Sequence, residues 1–213
     1  MDTVPEPVRR ERLSLLDLLR TLTPAEWATP SLCAGWTVQD VAAHLAWAPA
    51  LTLRQGLTEL VRAGLRPDRL ITGSAVRWSR RGPTAILDQL QQDADTDATP
   101  PAVPPAAVEV DAVVHALDIR RPLGRPHAID PTAFGVAADF CAGARWPSST
   151  MLGGPATARV RGLRLVASDQ DWSWGQGQEV RGPGEVLLLV LTGRPVQTGE
   201  LAGPGVDTLS ARL

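Results

Sequence analysis

The sequence predicts a mainly α-helical α+β protein: a helical bundle over residues 1–147, then a small α+β unit over residues 148–213. Apolar residues recur at the three-and-four spacing of amphipathic helices through the first part. Helix-start signatures, a threonine followed by proline or by an acid three positions on, punctuate that same part. Past Pro147 the pattern shortens toward the alternation of strands, and one continuous apolar run remains.

Residues 8–22 place Leu13, Leu15, Leu16, Leu18, Leu19 and Leu22 on one face, with arginines and acids elsewhere, which makes the first helix. Thr23-Pro24-Ala25-Glu26 reads as a start: threonine caps, proline takes the first position and glutamate reaches back. A loop of Pro30, Ser31, Cys33, Gly35 and Trp36 follows, and Thr37-Val38-Gln39-Asp40 opens a helix in the same way. That helix is expected to pass His44 and Trp47, bend at Pro49 and continue to about Arg62. Residues 66–81, polar and arginine-bearing, show no clear period. A helix from Pro83 through Ile86, Leu87 and Leu90 fades into Gln91-Gln92-Asp93-Ala94-Asp95, and the prolines of residues 99–105 make a rigid connection. Residues 106–119 form a long helix ended by Arg120-Arg121-Pro122-Leu123-Gly124, and residues 131–144, with Phe134, Val136, Phe140 and Cys141, form another. In the second unit Ala158 and Val160, then Leu163, Leu165 and Ala167, alternate as two strands split by Arg161-Gly162. Asp169 to Gly175 is turn-rich, and residues 183–192 read as one buried helix between Pro183 and Gly193.

Composition narrows the function. With 21 basic and 23 acidic side chains the formal charge is −2, which leaves no basic field for nucleic acid or anionic lipid. No stretch approaches the roughly 18 apolar residues of a membrane span, and no apolar core follows a basic start, so a cytoplasmic globular protein is expected. All the basic residues are arginine, which removes every lysine chemistry: Schiff base, P-loop or lysine general base. The nucleophile elbow of the α/β-hydrolases is missing, and the paired glycines form no dinucleotide fingerprint. Two cysteines, Cys33 and Cys141, are too few for a disulfide framework.

Among three histidines, two sit on expected helices one turn after an aspartate: Asp40-Val41-Ala42-Ala43-His44 and Asp111-Ala112-Val113-Val114-His115. Residues four apart share a helix face, so each pair can converge on one point. Two such faces packed together gather two imidazoles and one or two carboxylates inside a bundle, where helices commonly build metal sites. Capped or surface pairs of no functional meaning have the same spacing. Their apolar neighbours turn both histidines inward, where an imidazole needs a partner. His127, in a proline–glycine loop, reads as exposed.

Three parts of the chain carry a resemblance. Trp27-Ala28-Thr29-Pro30-Ser31-Leu32-Cys33-Ala34-Gly35-Trp36-Thr37-Val38-Gln39-Asp40-Val41-Ala42-Ala43-His44-Leu45 resembles the opening of the mycothiol-dependent maleylpyruvate isomerase family, within the DinB-like superfamily. Asp111 to Gly124 is similar to that family's second signature, and Asp169-Gln170-Asp171-Trp172 with Glu179 to Pro183 and Thr192-Gly193-Arg194 to its small C-terminal domain. The resemblance implies a DinB-like four-helix bundle holding a divalent metal, usually zinc, with His44, Asp111 and His115 as ligands. The family's characterised isomerase carries glutamate at the acid position, so Asp111 is one methylene shorter. Asp40 and Asp118 are then expected to orient an imidazole from behind or, for Asp40 especially, to cap a helix.

Three ligands leave an open position on the metal. In the family a low-molecular-weight thiol, mycothiol, takes it and adds to an electrophile, so the resemblance implies a thiol transferase or isomerase acting on a small molecule, oligomeric or not. Bound water would instead make the chain a hydrolase or lyase, and a decayed site would leave a binding or dimerisation module. Cys33 reads as a structural thiol, Arg120 and Arg121 as solvated helix-end cations whose other use would be to receive a substrate carboxylate, and Trp36 and Trp47 as core residues able to wall a pocket.

Overall fold

Local capping explains where the helices begin. The computed structural model describes residues 5–95, 104–145 and 148–213. The first helix, α1 (Glu6–Arg20), buries Leu15, Leu16 and Leu19. The single turn α2 (Pro24–Trp27) starts from a reciprocal capping box of Thr23 and Glu26. The same device, built from Thr37 and Asp40, starts α3 (Val38–Ala50), whose buried face of Val41, Ala42, Ala43 and Ala46 lets its neighbours approach closely.

The single bent helix expected over residues 38–62 is two helices. Pro49 sits in the last turn of α3, Leu51 is extended, and Thr52 caps α4 (Leu53–Arg62) in a box closed by Gln55. The stretch without a clear period is also a helix, α5 (Pro67–Ser79), opened by Pro67 after a turn in which Gly64 and Leu65 take positive φ. Its buried stripe rests on Ile71, Ala75 and Trp78, at positions i, i+4 and i+7. Then come α6 (Gly82–Asp95) and α7 (Pro105–Arg120). Most of the expected rigid connection over residues 99–105 lies outside the described residues.

Four of these helices form the bundle. Helices α1 and α3 each pack against both α6 and α7, while α5 lies along α3 and α4 along α5. Leu15, Leu19, Trp27, Trp36, Val41, Ile86 and Ile119 fill the middle. Burying each of the larger aliphatic side chains stabilises the fold by about 1.5–3 kcal/mol.

Backbone contacts group residues 1–128 as one compact unit and 129–213 as another. The break expected after residue 147 therefore falls within the second unit, together with α8 (Pro131–Gly143), capped by Asp130. Short helices α9 (Ser148–Met151) and α10 (Ala156–Arg159) lead into three strands, β1 (Leu163–Ala167), β2 (Ser173–Gly175) and β3 (Gln178–Gly182). Strand β1 is central, antiparallel to β2 and parallel to β3, with Leu165 opposite Trp174 and Val180. Helix α11 (Gly184–Leu191) is buried at every residue but Glu185, and α12 (Val206–Ser210) follows a 3₁₀ turn at Thr198–Glu200.

Two expectations are corrected here. Ala158 lies in α10 and Val160 is its C-cap, so neither is in a strand. The Arg159 guanidinium holds that turn in place by donating to the carbonyls of Gly153, Gly154, Val190 and Leu191, satisfying the end of α11. The second and third strands come instead from the turn-rich Ser173–Gly175 and from Gln178–Gly182. Among the described residues no helix is long and apolar enough to cross a membrane.

Candidate metal centre

The box at Thr37 sets the phase of α3 and so the direction of His44, two turns on. His44 lies almost wholly inside the bundle, and α7 faces it with Asp111 and, one turn later, His115. The Nε2 atom of His44 is 3.2 Å from Asp111 Oδ1, and Nε2 of His115 is 3.4 Å from the same oxygen. The two imidazoles meet edge to face with centroids 4.9 Å apart. The three donor atoms lie within 4.8 Å of one another. Asp111 keeps 37% of its side-chain exposure against 9% for His44 and 13% for His115, so the cluster opens through the carboxylate.

The far side of His115 is held tightly. Its Nδ1 is 2.8 Å from Oδ2 of Asp118, a fully buried carboxylate. A carboxylate only accepts, which assigns Nδ1 as a protonated nitrogen and aims Nε2 at Asp111 and His44. The Cys33 thiol donates to the same Oδ2 at 3.0 Å. Trp36 closes one wall, its ring 6.4 Å from His115 and 5.5 Å from His44 between centroids. The Nδ1 atom of His44, by contrast, is buried with no hydrogen-bond partner among the described residues.

Charge is organised to match. The low-dielectric surroundings of Asp111 push its pKa up, but the His44 charge and hydrogen bonds from both histidines outweigh this and hold the carboxyl far below the usual range. Desolvation pulls His115 down, yet hydrogen bonds to Asp111, Asp118 and Cys33 carry it well above an ordinary histidine.

The other candidates are placed elsewhere. Asp40 spends its carboxylate on structure: Oδ2 accepts from the Thr37 backbone and hydroxyl at 2.9 and 2.8 Å, and Oδ1 accepts from Ser79 of α5 at 2.6 Å. Arg120 is no solvated cation; it is buried and donates to the backbone and hydroxyl oxygens of Ser14 on α1. His127, expected in solvent, pairs with the buried Glu11 at 3.0 Å. Cys33 is the site residue that the sequence undervalued. Its only signal was its place in the loop immediately before α3.

The donor geometry suits a metal ion. Ligand atoms about 2.0–2.2 Å from a tetrahedral ion stand about 3.3–3.6 Å apart, close to the 3.2 and 3.4 Å found at Asp111. Two imidazole nitrogens and one carboxylate oxygen are the donor chemistry of an open zinc site.

Residues 8–120 match the family described as mycothiol maleylpyruvate isomerase N-terminal domain. The chain belongs to that family. The match runs from α1 to the end of α7 and so contains His44, Asp111 and His115. Among solved structures this family member is similar to the crystal structure of a histidine-to-alanine variant of the mycothiol-dependent maleylpyruvate isomerase, at 16% identity and a TM-score of 0.56, over 96% of each chain. It is also similar to the crystal structure of the mycothiol-dependent maleylpyruvate isomerase, at 17% identity and a TM-score of 0.50, again over 96% of each chain. At these identities the likeness is one of fold. No curated protein matches the chain.

Proposed function

We propose that this family member is a metal-dependent enzyme that activates a low-molecular-weight thiol for addition to, transfer to or isomerisation of an electrophilic small molecule. The thiol read from the family is mycothiol, as for the isomerase structures it resembles. The observation that carries the proposal is the meeting of His44 Nε2, Asp111 Oδ1 and His115 Nε2 from two facing helices, open on the carboxylate side.

These three atoms would hold a divalent cation, zinc by the chemistry of the donors, and Asp118 would orient His115 from behind. Bound there, the ion would supply a Lewis acid that lowers the pKa of a thiol or water in its open position. Asp111 is already anionic at neutral pH and needs no proton removed. His115 holds a proton in the metal-free protein, and that proton leaves from Nε2 while Asp118 retains the one on Nδ1. Trp36 keeps water from one side of both rings.

The test is metal content followed by turnover, on protein purified without chelator or affinity-tag metal and then offered zinc. The expected result is about one equivalent bound and turnover that requires a thiol, with His115→Ala losing both. Activity that survives loss of the metal overturns the proposal. Turnover without thiol replaces it with a hydrolase or lyase, and binding below about a tenth of an equivalent replaces it with a binding module.

A further inference from the structure

Asp118 is fully buried, and an ionised carboxylate is kept in a core only where hydrogens converge on it. Two do so at a single oxygen: Nδ1–H of His115 at 2.8 Å and S–H of Cys33 at 3.0 Å reach the same Oδ2. The thiol comes from a loop 85 residues away in sequence. That loop is stiff, with Cys33 N donating to Ser31 Oγ at 3.1 Å and Trp36 N to Cys33 O at 3.0 Å. It also clasps Asp118 by the main chain, through Leu32 N to Asp118 O at 3.1 Å. Four residues after Leu32, Trp36 lies nearly parallel to the His115 ring, at 26°. One short loop therefore reaches the back of His115, through Asp118, as well as its face.

Resting on the metal reading above, we propose that Cys33 is a positioning residue: its thiol fixes the Asp118 carboxylate, which in turn fixes the tautomer and aim of His115. The alternative use of the same three groups, as a Cys33–His115–Asp118 metal triad, fits less well. The 2.8 Å between His115 Nδ1 and Asp118 Oδ2 is a hydrogen bond, shorter than the roughly 3.3 Å that separates two ligands of a tetrahedral ion. The 3.7 Å between Cys33 Sγ and His115 Nδ1 is a long contact at hydrogen-bond reach, between two groups that both donate to the carboxylate.

The experiment compares the full chain with Cys33→Ala and Cys33→Ser, using zinc by chelator competition, cobalt(II) by its visible spectrum, and the metal-free His115 ring proton by NMR. Serine keeps a donor on the same stem and alanine removes it. Expected are zinc binding weakened about tenfold or more in Cys33→Ala, within about threefold of the parent in Cys33→Ser, and cobalt bands shifted in alanine alone. The Nδ1–H resonance of His115 exchanges faster with water in alanine and recovers in serine. Thermal unfolding of each variant shows whether the chain remains folded, and the serine rescue separates donation from packing.

Equal affinity, spectrum and proton exchange in all three proteins overturns the proposal. So does a near-ultraviolet thiolate-to-cobalt band in the parent, which makes Cys33 a ligand. A parent that binds neither metal sinks the metal reading alone, and the ring proton still decides the role of Cys33.

Discussion

Two segments with the same spelling, an aspartate four residues before a histidine, have opposite uses in this bundle. On α7 Asp111 and His115 both face inward and meet His44 at one oxygen. On α3 only His44 does so, while Asp40 turns back to Thr37 and across to Ser79. The difference lies in where each aspartate falls along its helix. Asp40 is third in its helix, where backbone N–H groups are unpaired and a carboxylate is drawn to the cap. Asp111 sits mid-helix, has no cap to serve and projects sideways onto the neighbouring helix.

The strongest way to break this comparison is to remove each aspartate in turn. Asp111→Ala is expected to lower zinc affinity about a hundredfold with little change in stability, whereas Asp40→Ala keeps the metal. The cost there appears in folding, about 0.5–2 kcal/mol for the lost cap, read as a lower urea midpoint. Metal loss in both variants would make the two motifs equivalent after all.

Acid should separate them next. Zinc displaces the proton that His115 holds with a raised pKa, so affinity rises with pH until that proton is gone. Titrations at several pH values, with proton release followed by calorimetry, measure this directly. Without metal the sign for folding is opposite: protonated His115 stabilises below the ordinary histidine pKa, and that stability fades as pH rises through the raised one.

The smallest effect belongs to the capping box that opens α2. Glu26 is lowered from 4.5 to about 2, first by the Thr23 backbone N–H, then by Arg125 and the Thr23 hydroxyl. A lowered carboxyl stabilises fully above its unfolded pKa, and the contribution disappears as pH falls through about 2. Urea midpoints of the parent should therefore fall over that acid range more steeply than those of Glu26→Gln. Parallel slopes would leave the box without electrostatic weight.

Legibility followed locality. The starts at Thr23 and Thr37 could be read from four residues each, because the cap hydrogen bonds close within one turn. Thr52 and Gln55 carry the same signal, but Pro49 drew attention to a bend and away from a fresh start. Helix α5 eluded the periodic reading because one of its three buried contacts is only alanine. In the second unit, Ala158 and Val160 alternate as strand residues do, yet the carbonyls that Arg159 must satisfy favour a helical turn.

The pairs Asp40/His44 and Asp111/His115 stood out by residue type and spacing, since the chain has only three histidines, and the resemblance then implied His44, Asp111 and His115. Which aspartate serves which imidazole, and that Cys33 reaches Asp118, had no local signature. Those facts depend on how far α3, α7 and the loop before α3 are rotated against one another, which close packing of Val41, Ala42, Ala46 and Ala116 settles. Helix boundaries and the list of candidate donors thus followed from the chain alone, because caps and periodicity act over a single turn. The shared oxygen atoms at Asp111 and Asp118 were decided only by tertiary structure, because bringing together groups tens of residues apart takes a whole core.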